Sequence, residues 1–80
     1  MDIDMARDVI RAAFRSSSEL LNLLSTLKSR CRPDEYQEYA RSIAAAVDAI
    51  GSSLTNKALA EHPELKSEID ASIAKTGRYR

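Results

Sequence analysis

The chain lacks most of the devices that staple small domains together. Its 80 residues include one cysteine, Cys31, and one histidine, His62, too few for a disulfide or for a four-ligand zinc site. Only two glycines and two prolines punctuate it and tryptophan is missing. No apolar run approaches the ~18 residues of a membrane-spanning helix. The opening Met1-Asp2-Ile3-Asp4-Met5 has neither the basic region nor the apolar run of a secretory signal, so the chain reads as cytoplasmic, where a lone thiol is at home. There is no excess of charge either: 12 basic and 12 acidic side chains cancel and are interspersed, which disfavours nucleic acid as the main partner. A single core in a chain this short seldom supplies more than about 3–5 kcal/mol. With disulfides and metal set aside, helix packing and oligomerisation remain.

What the chain does have is alanine, 12 of its 80 residues, and apolar residues at helical spacing. Pro33 and Pro63 divide it into three stretches, because proline opens a helix readily but removes a hydrogen bond inside one. The expected architecture is all-α: one domain over residues 1–80, with helices over about 4–31, 34–60 and 64–75 and a loose tail at 76–80. In the first helix Ile3, Ala6, Ile10, Ala13, Ser17, Leu20, Leu24, Leu27 and Cys31 recur at alternating three- and four-residue steps, which keeps a seam facing a neighbouring helix. Val9, Phe14, Leu21 and Leu23 flank the seam and widen it. Asp4 is the expected N-cap, and Lys28 and Arg30 suit the negative end of the helix dipole.

The second stretch opens at Pro33-Asp34-Glu35-Tyr36-Gln37, with Asp34 as cap and Gln37 reaching back. Its stripe is Tyr36, Ala40, Ile43, Val47, Ile50 and Leu54, with Ala58 and Leu59 continuing an apolar side. Gly51-Ser52-Ser53 could end the helix. An interior glycine costs only about 1 kcal/mol, however, so helix is expected to run through to Ala60. The third stretch places Leu65, Ile69 and Ile73 four residues apart and stops near Gly77, a natural C′ residue.

Two long helices joined by a short turn lie antiparallel, and a hairpin buries one side of each member. The apolar residues exceed that side. Val9, Phe14, Leu20, Leu23, Leu24, Leu27, Ile43, Val47, Ile50, Leu54 and Leu59 are therefore expected to supply an interface, and a two-fold dimer forming a four-helix bundle is the preferred assembly. The competing architecture is a monomeric three-helix bundle finished by the C-terminal helix.

Chemistry is sparse. Cys31 lies between Arg30 and Arg32, but it falls on the seam, so a buried structural thiol is expected. His62 stands among Glu61, Pro63 and Glu64, yet neither Glu35-x-x-Glu38 nor Glu61-x-x-Glu64 supplies the histidine of a di-iron Glu-x-x-His pair. Arg7, Arg11 and Arg15 form a basic row, with Asp4, Asp8 and Glu19 close enough to neutralise it. Tyr36 and Tyr39 seal the hairpin turn or face a partner. Ser16-Ser17-Ser18 has no glycine elbow and no nearby histidine. Catalytic residues, cofactors, metals and small-molecule ligands are not expected.

Cys31, Tyr36, Tyr39-x-x-x-Ile43, Gly51 after Ile50 and His62-Pro63-Glu64-Leu65 resemble small uncharacterised bacterial proteins built as long helical hairpins, over residues 24–66. The resemblance implies a hairpin and carries no activity. The leading expectation is a non-enzymatic helical interaction protein, pairing with itself or with another helical protein. A second is a small regulatory nucleic-acid binder using Arg7, Arg11 and Arg15 or Lys28, Arg30 and Arg32. A third is a small enzyme of the chorismate mutase type, which also uses a long helix carrying arginines and a dimer; here Arg41 is the sole basic residue of the second helix before Lys57.

Overall fold

A computed structural model describes residues 1–79. Helix α1 spans Ile3–Arg30, and its N-cap is Asp2, whose Oδ1 accepts the Met5 N–H at 2.8 Å. Asp4, the expected cap, stands in the first turn and pairs with Arg7 instead. All nine seam positions are buried or half-buried. The helix ends because Pro33 forces Arg32, the residue before it, into extended backbone (φ −66°, ψ 157°). The same proline then opens α2, Pro33–Ile50. Glu35, not Gln37, reaches back, taking the Arg32 N–H at 3.1 Å, so the expected pairing of Asp34 with Gln37 is replaced by one that starts two residues earlier, at Arg32 and Glu35.

Helix does cross Gly51, by way of a π-helical segment, Gly51–Thr55, in which the Asn56 N–H reaches the Gly51 carbonyl. Helix α3, Asn56–Glu61, continues the same rod. A π turn holds one residue more than an α turn, so the inward face is reset across it. Leu54, on the stripe by simple periodicity, is turned to solvent. Thr55 moves inward, its Oγ1 buried without a partner among the described residues, and Ala58 becomes core.

The turn at His62-Pro63-Glu64 starts α4, Leu65–Thr76, back along α1. Gly77 ends it in the left-handed conformation (φ 81°), its N–H on the Ile73 carbonyl at 2.7 Å. The expected loose tail is then corrected by Tyr79, which is only 8% exposed and belongs to the core. An aromatic ring that finds an apolar slot beside α1 gains more from burial than the short tail loses in freedom. Arg80, the last residue of that expected tail, lies outside the described residues.

The core is concentrated at one end. Ala6 and Ile10 of α1 meet Ala58 of α3, Leu65 and Ile69 of α4, and Tyr79, with Ile3, Val9, Phe14 and Leu59 packed around them. At the other end α1 and α2 stand alone, and Ile43 is the one buried large side chain among the described residues there. The fold is all-α, with extents of 45 × 25 × 15 Å, and among the described residues no helix is long and apolar enough to cross a membrane.

The two glycines separate two backbone effects cleanly, because a Cβ at either would meet nothing within 4 Å. Gly51 has helical φ, so Gly51→Ala is expected to raise stability by about 0.5–1 kcal/mol. Gly77 has φ 81°, so Gly77→Ala is expected to lower it by about 1–2 kcal/mol. Urea denaturation of both variants checks the opposite signs.

Candidate functional site

The described polar contacts between α1 and the C-terminal segment converge on Glu68. Arg7 Nε donates to both of its carboxylate oxygens, at 3.2 and 3.1 Å, and an Arg7 terminal nitrogen lies 3.0 Å from Oε1. A guanidinium fork matched to a carboxylate in this way fixes orientation as well as distance. Another Arg7 nitrogen holds Asp4 at 2.8 Å. The Tyr79 hydroxyl donates to Glu68 Oε2, completing a clasp of three side chains. Above the clasp the Tyr79 ring stands edge-on to Phe14, with centroids 6.1 Å apart at 79°, and the Arg11 guanidinium lies 5.1 Å from its centre.

The tail reaches this position by a defined turn. After Gly77, the Arg78 carbonyl lies 2.8 Å from both the Ser72 and the Thr76 hydroxyls, which ties the turn to the last residues of α4. Beyond Tyr79 a recess of about 550 Å³ opens between α1 and this turn. Phe14, Leu21 and Ile73 give it apolar walls, and Arg11, Arg15 and Arg78 give it charge. At the opposite end of the molecule, Cys31 is half-buried in the interhelical turn beside Lys28 and Tyr36 rather than sealed in the core. It sits there because α1 stops one residue earlier, at Arg30.

The residues expected at an interface fall into three groups. Val9, Phe14 and Leu59 pack against the three-helix core, and Ile43 is buried between α1 and α2 within one chain. Leu20, Leu24, Leu27, Val47 and Ile50 are half-buried. Leu23 and Leu54 are exposed. The basic groups are divided as well: Arg7 and Arg32 are committed to acids within the chain, and Arg11 approaches Asp8 at 3.7 Å. His62 takes a structural place, with Nε2 at 2.9 Å from the Met1 carbonyl and Nδ1 at 3.4 Å from Glu64, and no three potential ligands gather to hold a metal among the described residues. Glu68, Arg78 and Tyr79 were not singled out by sequence reasoning. Arg7 and Glu68 are 61 positions apart, and no local spacing signals a pair so distant; Gly77 with an aromatic residue two positions further on is the one visible trace.

These contacts set pH responses of opposite sign. Glu68 is held below the ordinary glutamate value, first by its hydrogen bonds from Arg7 and then by that from Tyr79. A carboxyl with a lowered folded pKa stabilises the fold above its unfolded value, and that contribution is lost as pH falls through the folded value. Tyr79 is pushed up, chiefly by burial and then by its bond to Glu68. His62 is raised, first by the Met1 carbonyl and then by Glu64, which favours the imidazolium able to donate from both nitrogens. Its contribution is complete below its ordinary value of 6.5 and is lost as pH rises through the folded value. Titration followed by NMR is expected to place Glu68 below 4.5 and His62 above 6.5. Tyr79→Phe is expected to move Glu68 back toward its ordinary value and leave His62 unchanged.

With this geometry in hand, comparison of the chain with protein-family models, with curated proteins and with solved structures finds no match in any of the three.

Proposed function

We propose that this protein is a non-enzymatic helical interaction protein that pairs with a second copy of itself through the flank of the hairpin that α4 leaves open. The observation carrying this reading is a set of four large apolar side chains outside the core: Met5 is 50% exposed, Leu23 44%, Tyr39 54% and Leu54 47%. Met5 and Leu23 are 18 residues apart, about five helical turns, and so share one face of α1. Phe14 follows Met5 by nine residues, about two and a half turns, and so points the opposite way. Phe14 is the side chain that meets Tyr79, which assigns Met5 and Leu23 to the flank without α4.

Helix handedness brings α2 onto the same flank. In an antiparallel pair the two helices wind in opposite senses when viewed down a common axis. Residues just before a seam position on one helix therefore lie beside residues just before a seam position on the other. Leu23 precedes Leu24, and Tyr39 precedes Ala40 and Ala46 precedes Val47. Between Met5 and Leu27 this flank of α1 carries Val9, Ala12, Ser16, Glu19 and Leu23, with Leu20 at its inner edge; on α2 it carries Glu35, Tyr39, Ser42 and Ala46, with Ile50 at its inner edge. Two of these are charged, Glu19 and Glu35, and Glu35 is paired with Arg32 of its own chain. Apart from these two acids the surface is uncharged and low in relief, and Met5, Leu23 and Tyr39 give it its apolar area.

The magnitudes fit association with a second copy. A standard interface takes roughly 800 Å² from each partner, a modest share of the 5776 Å² this chain exposes. Finishing the burial of four half-exposed large side chains on each of two copies contributes on the order of 6–12 kcal/mol. That is comparable with the roughly 4–15 kcal/mol lost in association, which favours a concentration-dependent dimer of moderate affinity over an obligate one. Two-fold closure buries identical patches and leaves no further copy to recruit.

Sedimentation equilibrium over a wide concentration range is expected to show a monomer–dimer equilibrium. Leu23→Glu is expected to weaken it at least tenfold, and Leu21→Glu, on the other flank, to leave it unchanged. A monomer at every concentration, or equal effects of the two substitutions, would remove the reading.

A further inference from the structure

The flank of α1 that does carry α4 poses a different problem, because α4 ends at Thr76 while α1 continues past it. The recess of about 550 Å³ lies at that boundary, within the ~300–1,000 Å³ usual for small-molecule sites. Its chemistry is divided. Phe14, Leu21 and Ile73 offer apolar surface, and Leu21 and Ile73 are among the large side chains the chain leaves exposed. Arg15 and Arg78 contribute positive charge, as does Arg11, which also has Asp8 at 3.7 Å, and no acidic residue lines the recess among the described residues. In a chain whose formal net charge is zero, this is a local excess.

Neither Glu68 nor Asp8 pairs with Arg15 or Arg78 among the described residues. Glu68 is bound by Arg7 and Tyr79, and Asp8 approaches Arg11. Arg11 is also held over the Tyr79 ring. Arg15 and Arg78 are exposed, and no ion pair between them and an acid occurs among the described residues. They approach the recess from different elements: Arg15 from α1, Arg78 from the turn fixed by Gly77 and by the Ser72 and Thr76 hydroxyls. The hydroxyls of Ser17 and Ser18 lie in the same lining.

We infer that this recess binds a small amphipathic anion, with a carboxylate or phosphate head held by Arg15 and Arg78 and an apolar body lying against Phe14, Leu21 and Ile73. Guanidinium groups suit either head, since both present paired oxygens to the fork. The apolar body supplies what a free inorganic anion lacks, a means of covering Leu21 and Ile73. Tyr79 forms the end wall, so the clasp to Glu68 shapes the site without using its own charges on the ligand. The site lies on the flank away from Met5 and Leu23, and it does not depend on the proposed dimer.

The test is a titration of the full chain, and of the Leu23→Glu variant, with decanoate and with decyl phosphate below their aggregation concentrations, followed by backbone amide NMR. Decanol, which lacks the charge, and inorganic phosphate, which lacks the body, are the controls. Saturable shifts confined to residues 14–21 and 73–79, at one ligand per chain and the same in both proteins, are expected. Decanol and inorganic phosphate are each expected to bind at least tenfold more weakly than the better of the two amphiphiles, and the better amphiphile assigns the head group. Arg15→Gln combined with Arg78→Gln is expected to weaken the anions tenfold or more and leave decanol unaffected, whereas Leu21→Ser is expected to weaken all amphiphiles. Decanol binding as tightly as decanoate and decyl phosphate, inorganic phosphate binding as tightly as decyl phosphate, shifts centred on Met5 and Leu23, or no saturable binding would each overturn the inference.

Discussion

The constraint on which the rest of this molecule depends is a mismatch in helix length. Helix α1 has 28 residues and α4 has 12, about 42 Å against 18 Å at 1.5 Å per residue. A third helix completes a core wherever it reaches, and here it reaches less than half of α1. Where it does, Ile10 and Leu65 are almost wholly removed from water. Where it does not, α1 and α2 shield each other along one line of contact. No leucine of α1 is fully buried, because all five, Leu20, Leu21, Leu23, Leu24 and Leu27, lie in the part that α4 does not reach. Burial is thus concentrated at one end of the rod, while the leucines of α1 stay partly or wholly exposed toward the other.

The short helix stays in place through more than apolar burial. With a hydrophobic face of Leu65 and Ile69 alone, α4 has little to fix its rotation, and Ile73 already stands outside the core. The Arg7 fork on Glu68 supplies direction, and Tyr79 supplies a second anchor 11 residues further on. An exposed ion pair contributes little stability by itself. In this clasp the carboxylate is also shared with a buried phenol, so breaking any one contact leaves the others poorly satisfied. The left-handed turn at Gly77 is what lets a chain leaving α4 come back toward α1 in two residues.

Periodicity made the hairpin legible, because a seam at three- and four-residue steps has one physical meaning in a chain with so little glycine and proline. Each of the nine seam residues of α1, Ser17 and Cys31 included, faces inward to some degree. The caps were less legible. Asp2 and Asp4 offer the same chemistry two residues apart, and Glu35 and Gln37 can both reach back, so local pattern alone does not choose between them. The π turn was invisible for a related reason: inserting one residue leaves composition unchanged while exchanging Leu54 for Thr55 at the inward face. Tyr79 and Glu68 escaped because their partners lie 61 or more positions away, on α1, where only the folded chain brings them together.

The row Arg7, Arg11 and Arg15 shows how the length mismatch turns one sequence pattern into three environments. Equal spacing on one helix face gives the three arginines equal standing in isolation. Arg7 lies opposite α4 and finds Glu68; Arg11 lies opposite the returning tail and covers the Tyr79 ring; Arg15 lies one turn beyond and meets open space. The contrast with the other flank follows from the same geometry. Around α1, Met5, Val9, Ala12, Ser16 and Leu23 lie on the side of Tyr39 and Ala46 with Glu19 as the one acid among them, so most of that flank can be covered by an apolar surface without desolvating an ion. The arginine-bearing flank can cover its exposed leucine and isoleucine only with something that also neutralises charge. One short chain thereby presents two surfaces of different chemistry, and the end of α4 marks where the second of them begins.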